Sequence, residues 1–410
     1  MNDRLSISFE NTENAFAYKS NDALKKAHWL FRLMGKNWLV SAGTRLTPLA
    51  IRWRIPFTRT IIKSTIFEQF IGGETLQETK PVVDMLAGHQ VQVILDYGVE
   101  GNDDGDVAYD HAMEEFIRVI DYAATQPNIP FMSVKVTGFA RFGLLEKLQR
   151  HMHDATGTLM VRYAAAQAKL DSVELAEWKR VVARMERITE AGQRHAVGVL
   201  VDAEETWIQD PVDAMVMDMM DRFNRKKAVI YNTAQLYRHD RYAFLEASVE
   251  AAKQRGFILG MKLVRGAYME KERKRANEQG YPSPIQATKE NTDRDFDQSI
   301  RLCLAHLDQV ATIIASHNEQ SNLLGAQLLH DLNIPHHHPH VHFSQLYGMS
   351  DHITFNLAEA GYSVSKYLPF GPIKHVVPYL MRRAQENSSV SGQTSRELSL
   401  LEREVKRRSL

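Results

Sequence analysis

From Gln90 onward the chain repeats one pattern: a short β-branched run, a polar break, then a longer amphipathic stretch. The runs fall at Val91–Gly98, Phe131–Thr137, Ala196–Glu204, Ala228–Gln235, Ile258–Gly266, Ala311–Ser316, Val341–Tyr347 and Ser363–Phe370. Between them, Tyr109–Ala124, Val173–Ala191, Arg241–Arg255, Asp293–Leu307, Glu319–Leu332 and Asp351–Ala360 carry apolar residues at helical spacing. Strands alternating with helices imply βαβ units and a parallel sheet. Eight such strands close a TIM-type (β/α)8 barrel. The early strands are widely spaced, so insertions are expected after the second.

Two segments fall outside this rhythm. Residues 1–88 show no strand alternation and mix basic with aromatic residues, from Lys25 and Trp29 through Trp38, Arg45 and Trp53 to Lys63. They read as an N-terminal helical arm packed over the following domain with its charges solvated; contact with a membrane surface is the alternative. Residues 388–410 read as a polar linker and a short charged amphipathic helix, which leaves 89–387 for the barrel.

Composition narrows the class. Fifty Lys and Arg balance fifty Asp and Glu, so no global field recruits nucleic acid or anionic lipid. Cys303 is the sole cysteine; a disulfide framework is excluded and a reducing compartment fits. The acidic residues Asp3, Glu10 and Glu13 argue against a transit peptide, and no apolar run approaches a bilayer-spanning length. The expectation is a cytoplasmic protein, at most peripheral on the inner membrane face. His336-His-His-Pro-His340 has no carboxylate at ligand spacing and reads as a surface loop, with no metal expected.

Barrel chemistry sits at the C-terminal ends of the strands, and those ends are unusually polar here. In chain order they offer Asp96 and Glu100, Lys135, Asp202 and Glu204, Gln235, Lys262 and Arg265, Ser316-His317-Asn318, Gln345, then Lys366 and Tyr367. Asp202 and Glu204 lie two apart and would share a strand face, with Lys135 and Lys262 as their partners. Paired cations and carboxylates suit a zwitterionic ligand. Gly266 and Ala267 end the fifth strand without bulk, which lets a ligand approach the backbone. No nucleophile elbow and no dinucleotide-binding glycine fingerprint is present. After the eighth strand, Tyr379, Arg382, Arg383 and Glu386 share one helical face, and adjacent arginines there suit a carboxylate.

Long motifs then carry a resemblance: Val201-Asp-Ala-Glu-Glu, Asn232-Thr-Ala-Gln-Leu-Tyr, Lys262-Leu-Val-Arg-Gly-Ala-Tyr, Ser316-His-Asn and Tyr379-Leu-Met-Arg-Arg-Ala-Gln-Glu-Asn. Across most of the chain it resembles the proline dehydrogenases, both the proline-oxidising domain of bacterial proline-utilisation proteins and the mitochondrial enzyme. The resemblance implies a distorted (β/α)8 barrel with non-covalent FAD, oxidation of L-proline to 1-pyrroline-5-carboxylate, and electrons passed to a membrane quinone. It implies that Lys135, Arg382 and Arg383 bind the substrate carboxylate, while Asp202, Leu346, Tyr367 and Tyr379 complete the pocket. Glu100 resembles the carboxylate that closes over substrate by pairing with Arg382. Asp202 and Lys262 stand as the catalytic pair, and Gln235, Arg265, Gly266, Ala267, Ser316, His317 and Asn318 as flavin contacts. Many bacterial members carry arginine at Lys262 and lysine at Arg265; this chain has the mitochondrial pattern, which keeps charge but loses planar bidentate bonding at Lys262. Tyr367 favours proline over hydroxyproline, whose oxidation is the alternative activity, alongside a related flavin barrel.

Overall fold

The computed structural model describes residues 7–53, 56–98, 105–389 and 393–410. Eight strands follow in order: β1 (Gln92–Tyr97), β2 (Phe131–Val134), β3 (Gly198–Val201), β4 (Ile230–Gln235), β5 (Leu259–Val264), β6 (Val310–Ala315), β7 (Val341–Leu346) and β8 (Val364–Phe370). They close in chain order into one barrel. Seven predicted runs contain their strands and the sixth begins one residue late, at Ala311 against Val310; the excess lies mostly at the C-terminal ends, where the polar residues begin. The long interval after β2 holds helices Phe142–His153, Leu159–Gln167 and Ser172–His195. The last of these starts at a capping box, with Asp171 accepting from Val173 and Glu174 and the Glu174 side chain reaching back to the Asp171 amide. The stretches Thr206–Phe223 and Met269–Gln279 are also helical, which the strand rhythm alone did not reveal.

Contacts divide the chain into two compact units, Glu100–Phe343 and Met1–Val99 with Ser344–Leu410. In the first, β2 to β6 pair in parallel, and period two fixes which side chains share a face. Near the strand starts, Phe131 meets Tyr231 and His342 edge-on, with ring centroids 5.6 Å and 5.1 Å away. Small neighbours make room for these rings. A Cβ on Gly198 would lie 2.4 Å from the Phe131 ring, and one on Gly260 would lie 2.4 Å from the Ile230 carbonyl oxygen and 2.8 Å from the Tyr231 ring. Burial drives the His342 imidazole down to about 3, so it packs as a neutral ring.

In the second unit, β1 pairs with β8 along its whole length. Helices from both parts of this unit share one apolar cluster, including Phe16, Phe31, Phe70, Val376, Leu380 and Leu400. Helix Gln393–Arg407 docks by Leu400 and Leu401, and Arg408 donates to the carbonyls of Phe16 and Lys19, both at 2.8 Å. Its buried Glu397 accepts the Ser350 amide. Beneath it, Asp351 accepts the Tyr18 hydroxyl at 2.6 Å and pairs with Lys366 at 2.8 Å. Buried charges need such partners.

Candidate active site

Within Glu100–Phe343, residues from three strand ends converge. Lys262, on β5 and buried, donates to Asp202 Oδ1, and Lys135 Nζ lies 3.4 Å from Asp202 Oδ2. The pairing predicted from sequence is met for Asp202. Register explains it: Gly198 and Leu200 alternate toward one face, Asp202 takes the next place, and its amide still donates to the Val134 carbonyl at 2.9 Å. Lys262 follows Gly260 at the same period and pairs in register with Thr233.

Glu204 differs from expectation. β3 ends at Val201, so Glu204 does not share a strand face with Asp202. Its carboxylate instead accepts the Thr137 hydroxyl at 2.8 Å and the Thr137 amide at 3.4 Å. It thereby anchors the single 3-10 turn Val136–Gly138 that follows Lys135 directly. β2 likewise stops at Val134, leaving Lys135 in the first residue after the strand. Burial first, then the neighbouring Glu205 carboxylate, raises Glu204 to about 7.

A second group surrounds the end of β5. Arg265 forms an ion pair with Asp293, donates to Ser321 Oγ at 2.7 Å, and lies 4.0 Å from the Phe296 ring centroid. Its buried Nε has no hydrogen-bond partner among the described residues. Gly266 follows with φ +88 and nothing within 4 Å of where a Cβ would stand, and Gly266 and Ala267 are both exposed. Asn318 caps helix Glu319–Asp331, accepting the Ser321 amide at 3.0 Å. Ser321 thus joins Arg265 to that helix start. Asn318 also donates its amide to Ser316 Oγ at 3.0 Å, with half-buried His317 between them. Gln235 is buried, donating to the Glu204 carbonyl at 2.7 Å and accepting from Arg238 at 3.3 Å. Ser321 and Glu204 are the residues that sequence reasoning undervalued. The Asn-x-x-Ser spacing of an N-cap pointed to the first; nothing local revealed the second.

Within Met1–Val99 and Ser344–Leu410, Leu346 closes β7 and Tyr367 sits on β8, its carbonyl accepting the Tyr347 amide at 2.9 Å. Helix Ile373–Ser389 buries Ile373, Val376, Val377, Leu380 and Ala384 at three- and four-residue spacing. One turn along it, the Arg383 guanidinium packs 5.1 Å from the Tyr379 ring centroid. Arg383 is buried and Arg382 half-buried. Two strand-end groups prove structural. Lys366 bonds the Met349 carbonyl at 2.5 Å besides pairing with Asp351, and Gln345 accepts the Thr354 hydroxyl at 2.8 Å. Glu100 and the side chain of Glu386 lie outside the described residues. In the His336–His340 loop, His338 packs edge-on against His340, which lies 2.6 Å from the Leu307 carbonyl oxygen.

Known proteins place this geometry in context. Residues 80–396 match the family model described as Proline dehydrogenase. The carbapenem antibiotics biosynthesis protein CarD of Pectobacterium carotovorum subsp. carotovorum is 36% identical over 341 residues, covering 83% of this chain and 83% of the relative. Hydroxyproline dehydrogenase of Xenopus laevis is 33% identical over 414 residues, covering 96% and 88%. Among solved structures, proline utilization A from Bdellovibrio bacteriovorus aligns with a TM-score of 0.68 at 19% identity over 93% of this chain. This chain spans 37% of that protein, and the likeness speaks to the fold.

Proposed function

The chain belongs to the proline dehydrogenase family of oxidoreductases, and from that premise we propose that it oxidises L-proline to 1-pyrroline-5-carboxylate with non-covalent FAD, passing electrons to a membrane quinone. The observation that carries this reading is the junction at Arg265. A guanidinium with an unused buried Nε, an exposed glycine in the left-handed region and a capped helix start are coupled through Ser321. Such a donor set fits the anionic and amide-seeking parts of a flavin dinucleotide. Arg265, Gly266, Ala267, Ser316, His317, Asn318 and Gln235 would hold it. When bound, FAD supplies the hydride acceptor.

The protein's own part is orientation and charge. Lys135, Arg382 and Arg383 hold the substrate carboxylate. Leu346, Tyr367 and Tyr379 wall the ring, so that its C5 carbon is held toward the acceptor. Asp202 is shared by Lys135 and Lys262, which fixes both ammonium groups. The reacting form of the substrate is the neutral amine, its proton released to solvent on binding, because only the neutral amine can donate its lone pair to the forming C=N bond. Lys262 stabilises negative charge that develops beside it.

The Xenopus relative named for hydroxyproline supports a second substrate reading; Tyr367, by crowding a ring hydroxyl, favours proline. A spectrum of the purified protein tests the whole. Flavin absorbance that bleaches anaerobically with L-proline, and less readily with trans-4-hydroxy-L-proline, is expected. A colourless protein, or a yellow one indifferent to both, contradicts the proposal.

A further inference from the structure

Helix Ile373–Ser389 carries Tyr379, Arg382 and Arg383, and its own sequence does little to hold its beginning. A helix start leaves backbone N–H groups without partners and carries a partial positive charge. Ser, Thr, Asp or Asn in the preceding position commonly meets both needs. Here Gly371 and Pro372 precede the helix and offer no side-chain acceptor. The first turn contains no acidic residue and does contain Lys374, a charge of the wrong sign. Pro378 has no N–H to return to the Lys374 carbonyl, so this turn is also weakly tied from within.

The missing group comes from the N-terminal part of the chain. Glu74 Oε2 accepts the Ile373 amide at 3.4 Å and Arg59 at 3.5 Å, while its Oε1 accepts from Lys63 Nζ at 3.0 Å. Burial pushes the Glu74 carboxyl up, but Lys63, the Ile373 amide and Arg59 outweigh it and hold it below the ordinary carboxylate range. A negative charge therefore stands at the positive end of the helix. The backbone beside Glu74 is stitched to the same place: Gly72 donates to the Pro369 carbonyl at 2.8 Å, and Gly371 to the Gly73 carbonyl at 2.9 Å. That close approach needs glycine, since a Cβ on Gly72 would lie 2.9 Å from Leu368 Cγ and one on Gly73 2.6 Å from Glu78 Cβ. Lys63 opens Lys63–Phe67, the one π-helical turn among the described residues, a geometry frequent at functional sites. Both cations are more than half exposed, so as ion pairs they add little stability. What they fix is the direction of the carboxylate.

Buried Ile373, Val376, Val377, Leu380 and Ala384 set which face of the helix turns inward, but apolar contact is non-directional. A directed bond at the start sets where the helix lies along its axis. We propose that Glu74 is a positioning residue for substrate capture, capping this helix from outside and thereby placing Tyr379, Arg382 and Arg383. This role rests on the reading that Arg382 and Arg383 hold the substrate carboxylate.

The full, flavin-loaded chain is compared with Glu74→Ala, Glu74→Gln, Arg383→Met and the double variant Glu74→Ala with Arg383→Met. Glu74→Ala is expected to raise the Michaelis constant for proline about tenfold while kcat stays within about twofold. Glu74→Gln keeps an acceptor for the Ile373 amide and is expected to raise it by a smaller factor. In the Arg383→Met background, Glu74→Ala is expected to add less than about twofold, because both changes act on one carboxylate contact. Hydrogen–deuterium exchange over residues 373–380 is expected to quicken in Glu74→Ala, with exchange in β4 unchanged. If Glu74→Ala does not fold, Glu74→Gln carries the same comparisons. An unchanged constant for Glu74→Ala beside a raised one for Arg383→Met overturns the positioning role and leaves the carboxylate reading standing. A fall in kcat with the constant unchanged, or a full tenfold effect in both backgrounds, also overturns the positioning role. An unchanged constant for Arg383→Met overturns the carboxylate reading and this role with it; quickened exchange would then leave Glu74 as a structural cap alone.

Discussion

Glu204 lies two residues beyond Asp202, and its ionisation gives the candidate site a measurable signature. Burial and Glu205 raise its carboxyl from 4.5 to about 7. Between those values the folded chain keeps a proton that the unfolded chain has released. The associated stability is complete below pH 4.5 and is lost as pH climbs through 7. Glu204→Gln cannot ionise, so its stability is expected to rise relative to the natural sequence as pH climbs from about 4.5 to about 7, by up to roughly 3 kcal/mol, and to hold that gain at higher pH. Denaturation curves that keep a constant offset across that range would show that Glu204 does not titrate there. At the substrate end, Arg383→Met removes charge-assisted bonds worth about 1.5–3 kcal/mol each. The Michaelis constant for proline is expected to rise about tenfold or more; near-natural steady-state kinetics would remove Arg383 from the carboxylate site.

Strand period explains why chemistry gathers where it does. Bulky rings and glycines fill the layer near the strand starts, and the next positions toward the opposite ends bring Lys262 and Asp202 together. Gly260→Ala places a Cβ against backbone oxygen and the Tyr231 ring, an overpacking that costs about 1–3 kcal/mol. Because Lys262 is two residues along, proline affinity is expected to fall together with chemical stability. A stable variant with altered affinity alone would separate the two layers. All eight strands were legible because β-branched runs and polar ends recur, and the Asp202–Lys262–Lys135 grouping followed from that phase. The Glu204–Thr137 contact was not legible, since it depends on where the chain leaves β3 rather than on periodicity. Lys366 and Gln345 looked like site groups for the opposite reason: at a strand end, sequence alone does not tell which way a polar side chain turns.

For the whole molecule, the arm and the tail act together. Leu400 is fully buried in the cluster that joins helices from both, whereas Leu332 is 53% exposed. Leu400→Ala is expected to cost about 2–5 kcal/mol in urea unfolding, and Leu332→Ala close to nothing. Equal effects would mean that the terminal helix adds little cohesion. Length and composition suggested an arm, a barrel and a tail in sequence; they carried no sign that the outer segments would share one apolar cluster, because such contacts leave no periodic trace. The arrangement also orders events on the ribosome. The early residues Phe16 and Phe31 emerge long before Val376, Leu380 and Leu400, and at ~5–20 residues per second they remain uncovered for tens of seconds. Nascent chains therefore pass through an interval in which the first hundred residues are the ones a chaperone meets.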